Sequence, residues 1–402
     1  MATAVAGTTI VPMAEPLYGT PQPSHAPLGP LSAPLSRATS AAQPDADTLR
    51  ELGTGQRRGE FYQRISHPNA LAFEQLVARL EGAEGAVSFA SGMAAVAGVM
   101  LALLKAGDRV LVAEEIYGGT GNLVTADLPR FGIRVDRFRA LEPATLDAAL
   151  RQPAQMVVFE SPVNPTLRLV DVARVAAATR AAGAVSMLDG TFAPPPIQHA
   201  LRLGVDLVVH SATKFLGGHS DVLAGVVAGS HRHLVPIEAF RRRTGSILAP
   251  DPAWLLCRSW PTLELRIAAQ QAAALEVARG LHEDWRAGRI DGVSHPGLPD
   301  HPDAALARVQ MPGGGGTMVS FVVKGGLVRS RAVFDRFRVI ARGPSLGSVE
   351  SLASLPAYTT HAAWTPEQRA AAGIPEGLIR ISVGLEGAAV VLEDIRQALQ
   401  GA

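Results

Sequence analysis

The sequence predicts an α/β protein, a mostly parallel sheet covered by helices on both faces and followed by a smaller α+β C-terminal domain. Three observations predict it. Short apolar runs alternate with helical segments from about residue 70 to residue 230. The chain has 402 residues, 47% hydrophobic and 18% charged, enough for two or three domains around a large buried core. Aromatic residues are sparse at 5% while glycine numbers 40, which suits close helix–sheet contacts.

The elements follow in order. Residues 1 to about 45 are rich in Pro, Ala, Ser and Thr and nearly uncharged, so they read as an irregular arm that a partner subunit would order. A short helix is expected around 47–52, closing an N-terminal arm over 1–60. Residues 72–80 are amphipathic at helical spacing, and 86–89 form a short strand. A long apolar helix spans 92–104, followed by a strand over 109–112. Further buried strands are read at 156–159, 184–188, 206–210 and 224–228, with helical segments such as 171–182 between them. This alternation defines a first domain over 61–250. Beyond Pro250 a long Ala-, Leu- and Arg-rich helix runs from 253 toward 285, interrupted near Pro261 because proline lacks the N–H that a helix needs. Strands at 318–323 and 379–383 and a closing helix at 388–399 complete a C-terminal domain over 251–402.

Composition excludes several function classes. A formal net charge of +1 gives no electrostatic case for nucleic acid or an anionic membrane. The single cysteine, Cys257, rules out an internal disulfide and a cysteine-based metal site, and its apolar helical surroundings suit a core residue. No metal is expected. No run of about twenty apolar residues suggests a membrane span, and the N-terminus does not read as a secretory signal, so the expected location is the cytoplasm.

Lys214 is one of only three lysines, with Lys105 and Lys324, in a chain whose Lys and Arg together number 37. It follows an apolar strand and stands between Ser211, Thr213 and a Gly217-Gly218 turn. Unlike arginine, lysine can lose its proton and act as a nucleophilic amine, so a Schiff-base role leads the readings. Other polar groups fall at strand ends on the same expected edge of the sheet, where open α/β sheets bind ligands. Ser91-Gly92-Met93 opens a helix, and Tyr117-Gly118-Gly119-Thr120 follows the next strand. Asn164 and Asp189 follow two more. Singly, each has an ordinary structural explanation as cap, turn or packed loop residue.

Together these parts suit pyridoxal 5′-phosphate (PLP), which needs an amine, a carboxylate against its pyridine nitrogen and donors for its phosphate. Lys214 supplies the amine and Asp189 the carboxylate. The backbone N–H groups of Gly92 and Met93, with Ser91 nearby, form a phosphate site at a helix N-terminus. Ser211 and Thr213 add hydroxyls, and Tyr117 can lie on the ring and move protons.

With Phe89-Ala90-Ser91-Gly92-Met93-Ala94-Ala95, Ser161-Pro162-Val163-Asn164-Pro165-Thr166, Thr262-Leu263-Glu264-Leu265-Arg266, Ser345-Leu346-Gly347 and the 380–386 segment in this order, the chain from about Tyr62 onward resembles the Cys/Met-metabolism group of PLP enzymes. These include cystathionine γ-lyases and γ-synthases, methionine γ-lyases and homoserine-ester sulfhydrylases. The resemblance implies a fold-type I, aspartate aminotransferase-like fold and a homotetramer built as a dimer of dimers. It also implies that Tyr62 and Arg64 reach the phosphate held by a neighbouring subunit, with Tyr62 near the substrate as well. Arg380 would grip the substrate α-carboxylate, helped by Asn164 and Ser345.

Departures from the family pattern cluster where the distal end of the substrate would be read. Asn122 stands where an arginine is usual, and Pro344 where a glutamate often precedes Ser-Leu-Gly. His67 stands in a segment that is normally Asn-Pro-Thr; a lone histidine there is more often a polar loop residue, and in a specialised enzyme it becomes a candidate substrate contact or acid/base group. The expected function is γ-elimination or γ-replacement on a γ-substituted amino acid, through a vinylglycine-type intermediate trapped by a sulfur or carbon nucleophile. The donor would be an O-acylhomoserine, cystathionine or S-adenosylmethionine, in secondary metabolism. The alternatives are a housekeeping cystathionine or methionine γ-lyase and, in another class, a PLP-binding regulatory protein without turnover.

Overall fold

A computed structural model describes residues 33–57 and 59–402; most of the predicted irregular arm lies outside them. The chain opens with α1 (Ala46–Thr54) and α2 (Pro68–Glu81), then β1 (Gly85–Phe89), α3 (Gly92–Leu103), β2 (Arg109–Ala113), α4 (Gly118–Asn122) and β3 (Arg134–Phe138). It continues through α5 (Pro143–Ala149), β4 (Met156–Glu160), α6 (Val172–Ala181), β5 (Val185–Asp189), β6 (Leu207–His210), β7 (Gly225–Gly229) and α7 (His231–Thr244).

These strands form a seven-stranded sheet in the order β1-β7-β6-β5-β4-β2-β3. Strands β6, β5, β4, β2 and β3 pair in parallel, and β7 runs antiparallel to both of its neighbours. Both faces are covered. Leu111, Val157, Phe159, Leu188 and Val208 point into a core shared with α2 and α6. Val110, Val112, Val158, Met187 and Val209 point the other way, against α3 and α7. That two-sided burial is why the strands read as unbroken apolar runs rather than alternating ones.

After α7 come α8 (Pro250–Ser259), a short 3-10 turn holding Pro261, and α9 (Leu263–Arg286). Then follow β8 (Gly292–Ser294), α10 (Ala304–Gln310), β9 (Met318–Val322), α11 (Gly326–Asp335), β10 (Ala341–Arg342), β11 (Leu352–Ser354), α12 (Pro366–Ala371), β12 (Leu378–Ser382) and α13 (Ala388–Gln400). A five-stranded sheet in the order β10-β11-β12-β9-β8 packs its apolar face on α9, α11 and α13. Cys257 is buried on α8, and burial pushes its thiol up to about 12, as an inert core residue requires. Among the described residues no helix is long and apolar enough to cross a membrane.

Candidate active site

Parallel strands bring the residues that end or follow them to one edge. A cavity of about 300 Å³ lies there, beyond the C-terminal ends of β2, β4, β5 and β6. Its walls include Ser91, Gly92, Met93, Tyr117, Asn164, Asp189, Ser211, Thr213 and Lys214 from the first sheet and its loops. The second sheet and its loops contribute Pro344, Ser345, Leu346, Thr360 and Arg380.

Lys214 follows β6 in a tight turn, its N–H donating to the Ser211 carbonyl at 3.1 Å. Its Nζ donates to the Ser345 hydroxyl at 2.7 Å. Burial, and then the charge of Arg380, hold the amine's pKa below the ordinary lysine value. Arg380, on β12, is only 4% exposed. Its Nη1 donates to Asn164 Oδ1 at 2.7 Å and its Nη2 to the Ser345 carbonyl at 3.2 Å. Its Nε is buried with no protein partner, which leaves one edge of the guanidinium for a ligand. Burial lowers the Arg380 pKa to about 10, so the group stays charged near neutrality.

Asp189 ends β5, its Oδ1 accepting the Thr191 N–H at 3.0 Å. Burial raises its pKa, so a cation placed against it would be favoured. At the opposite wall α3 begins, with Ser91 capping it by accepting the Ala94 N–H at 3.1 Å. Gly92 is required there: a Cβ would stand 2.8 Å from Ser211 Cβ and 2.9 Å from Ser211 Oγ. The free N–H groups of the first helical turn and the Ser211 hydroxyl therefore converge on one small cup. Tyr117 follows β2, 45% exposed at the mouth. Gly119 makes room for its ring, since a Cβ there would lie 2.5 Å from Tyr117 Cε1 and 2.9 Å from Met93 Sδ.

An amine, a carboxylate and an anion cup in one cavity fit PLP. Lys214 would carry the aldehyde carbon, Asp189 the pyridine nitrogen, and Gly92, Met93 and Ser211 the phosphate. Thr213 differs from its expected part. Its hydroxyl donates to the Ala224 carbonyl at 3.1 Å and accepts the Ala224 N–H at 3.0 Å, so it braces β7 instead of offering a free donor.

The chain belongs to the Cys/Met metabolism PLP-dependent enzymes. That family's sequence profile matches residues 20–400. The enzyme is 38% identical to the L-methionine γ-lyase of Pseudomonas putida over 374 residues, which covers 92% of this chain and 93% of that protein. It is also 38% identical to the cystathionine γ-lyase of Bacillus subtilis strain 168, covering 92% and 95% of the two chains. The O-succinylhomoserine sulfhydrylase of Pseudomonas aeruginosa is 40% identical, covering 83% and 81%. Among solved structures, the cystathionine γ-synthase of Xanthomonas oryzae pv. oryzae in complex with cystathionine superposes with a TM-score of 0.85 at 35% identity, over 92% of this chain and 93% of that one. The expected fold-type I architecture and the PLP requirement both hold.

Three expected contributors lie away from the cavity. Tyr62 and Arg64 are exposed on the segment before α2, the Arg64 guanidinium 5.4 Å from the Tyr62 ring centre. Asn122 is exposed at the end of α4 and does not line the cavity. His67 corrects an expectation, because it is neither a substrate contact nor an acid/base group of this cavity. It caps α2, with Nδ1 accepting the Ala70 N–H at 3.2 Å and Nε2 bonded to the Leu248 carbonyl at 2.8 Å. Burial lowers its pKa and keeps the ring neutral.

Sequence reasoning missed Glu160, Phe192 and Leu223, which also line the cavity. Glu160 carried one usable signal: an acidic residue closing the apolar run 156–159 has to find a reason at the strand end.

Proposed function

We propose that the enzyme catalyses elimination or replacement at the γ-carbon of an amino acid whose γ-substituent is uncharged. One observation carries the reading: Lys214 Nζ and the Arg380 guanidinium meet at the same residue, the Ser345 hydroxyl at 2.7 Å and its carbonyl at 3.2 Å. An α-carboxylate seated on Arg380 therefore brings its own Cα–H beside the only lysine amine in the cavity. Bound PLP supplies an electron sink for the carbanion left when that proton departs. Lys214 Nζ takes the α-proton and returns it toward the side chain. The Tyr117 hydroxyl, at the cavity mouth, supplies the proton that the leaving group needs.

Pro344, Leu346, Leu223 and Thr360 also line the cavity and would read the substrate's far end. Among the described residues, the charged side chains lining this cavity are Glu160, Asp189, Lys214 and Arg380, all with partners at the cofactor or carboxylate end. A thioether or acetyl ester suits that wall better than the ammonium and carboxylate of cystathionine or the carboxylate of a succinyl ester. The test is kcat/KM for release of 2-oxo acid or for thiol capture, with methionine, O-acetylhomoserine, O-succinylhomoserine, cystathionine and S-adenosylmethionine as donors. Methionine or O-acetylhomoserine should lead. A tenfold preference for any of the three charged donors would overturn the reading.

We also propose that the site is completed by a second copy, within a homotetramer, through the exposed Tyr62 and Arg64. Mixing Lys214→Ala and Arg64→Ala chains in equal amounts should restore about a quarter of full activity, because half of the dimers then hold one intact site. No recovery on mixing would sink this proposal. The division into 1–60, 61–250 and 251–402 remains our reading, supported by the end of the first sheet at Gly229 and the start of the second at Gly292.

A further inference from the structure

Glu160 is the one acidic group of the cavity that neither the cofactor nor the substrate reading uses. It ends β4, is 6% exposed, and stands in register opposite Asp189 on β5. Two carboxylates side by side at buried strand ends are costly, so a reason for the second one has to be found. Its hydrogen bonds supply that reason. Oε2 accepts the backbone N–H of Tyr117 at 2.7 Å, and Oε1 accepts the backbone N–H of Asn164 at 3.0 Å. Tyr117 closes the loop between β2 and α4, and Asn164 lies in the loop after β4. Asn164 in turn holds Arg380 Nη1 at 2.7 Å.

We propose that Glu160 is a positioning residue, a two-armed clamp that sets the Tyr117 loop and the Asn164–Arg380 pair in register across the cavity. Two N–H groups approaching from separate loops need two acceptor oxygens on one side chain, and only an ionised carboxylate presents both without a donor. A glutamine would turn its amide NH₂ toward one of them and open that arm. An aspartate is one methylene too short to span both.

The clamp is also tied to the cofactor. Burial and then the charge of Asp189 outweigh the downward pull of the two N–H groups and leave the Glu160 carboxyl at about 8, so near neutrality the doubly accepting form needs the charge of Asp189 to be offset. Glu115 adds repulsion from the loop after β2, and Arg380 on β12 is the nearby cation. A positive charge held against Asp189 relieves that repulsion and favours the doubly accepting form. Filling the cofactor end of the cavity thereby tightens the two substrate-side loops.

The substrate part of this inference rests on Arg380 binding the α-carboxylate; the Tyr117 part does not. The test uses PLP-loaded Glu160→Gln and Glu160→Asp. Visible-region circular dichroism of the bound cofactor should change in both, because the Tyr117 ring shifts against it. KM for the amino acid should rise about tenfold or more and kcat should fall, as expected when the clamp loses a charge-assisted bond. A changed dichroism band with unchanged KM would leave the Tyr117 arm standing and count against the carboxylate reading. Variants that are less stable but retain wild-type dichroism, KM and kcat would show a merely structural glutamate and overturn the proposal, as would variants with no change at all.

Hydrogen exchange on the wild-type protein needs no variant. The Tyr117 and Asn164 amides should both be protected, and protected more strongly once PLP is bound. Free exchange at either amide in the loaded enzyme overturns the clamp.

Discussion

Replacing Arg380 by lysine keeps the positive charge but removes the fork that geometry requires. The guanidinium holds Asn164 at 2.7 Å and the Ser345 carbonyl at 3.2 Å while its Nε stays free in the cavity wall. A lysine ammonium is a point donor on a flexible stem and cannot serve two protein acceptors and a carboxylate in one plane. Truncating one partner of a buried charged pair costs about 2–5 kcal/mol. Because the charge is retained, the lower part of that range applies, about 2–3 kcal/mol, or roughly 30- to 150-fold in kcat/KM. The assay compares Arg380→Lys with the wild type on a γ-substituted amino acid and on the corresponding amine that lacks the carboxylate. The amino acid should lose the full factor and the amine almost none, with unfolding temperature as the control for fold. An equal loss on both compounds, or no loss on the amino acid, would refute the carboxylate assignment.

Other expectations can be checked independently. Asp189→Asn should weaken PLP binding by about 10- to 100-fold, from loss of a charge-assisted hydrogen bond, as measured by cofactor titration of the free protein; unchanged affinity would remove Asp189 from the cofactor site. Only the neutral Lys214 amine can attack an aldehyde, and burial with Arg380 lowers its pKa, so PLP uptake should rise with pH at a midpoint below the lysine value of about 10.4. A midpoint at or above that value would contradict the lowered pKa. His67→Ala should cost about 1–3 kcal/mol of stability, from the lost cap and the orphaned Leu248 carbonyl, and leave kcat/KM unchanged; a large kinetic defect would restore a role for His67 in the site.

Six histidines should each make stability fall with acid, against Glu160, whose carboxyl raised to about 8 works in the opposite sense. Burial lowers the pKa of His67, His199, His233, His295, His301 and His361, so the folded state resists protons that the unfolded chain takes up. That stability is fully present above about pH 6.5 and is lost as pH falls through the folded values. His295, fully buried and pushed down to about 4, alone accounts for roughly 3 kcal/mol. A His295→Asn chain that loses stability between about pH 6.5 and 4 as steeply as the wild type would contradict this.

Much of the site was legible because buried parallel strands announce their own ends. Met156–Glu160 is apolar until its last residue and Val185–Asp189 is so apart from Ser186, and the acidic residues that close them are at the cavity. The rest depended on contacts distant in sequence. Strand β3, Arg-Val-Asp-Arg-Phe, lies at the sheet edge with its charges in solvent, so it lacks the buried-strand pattern. Helix α7 was hidden by Pro236 and by Arg241, Arg242 and Arg243, although Arg241 is buried against Glu74. The Glu160 pairing with Asp189 is a matter of strand register, which no local pattern states. Thr213 and His67 looked like free functional groups until their partners Ala224 and Leu248, brought by the fold, were placed beside them.

Lys214 as the amine that bonds PLP is the claim on which the rest depends, and the chain is well suited to testing it because it has only three lysines. Borohydride reduction of the PLP-loaded enzyme, followed by digestion and peptide mass spectrometry, locates the bound cofactor. The account predicts one pyridoxyl-phosphate mass increment per chain, on the peptide carrying Lys214, and none on a Lys214→Ala chain. A label on Lys105 or Lys324, or one that survives the loss of Lys214, would contradict it.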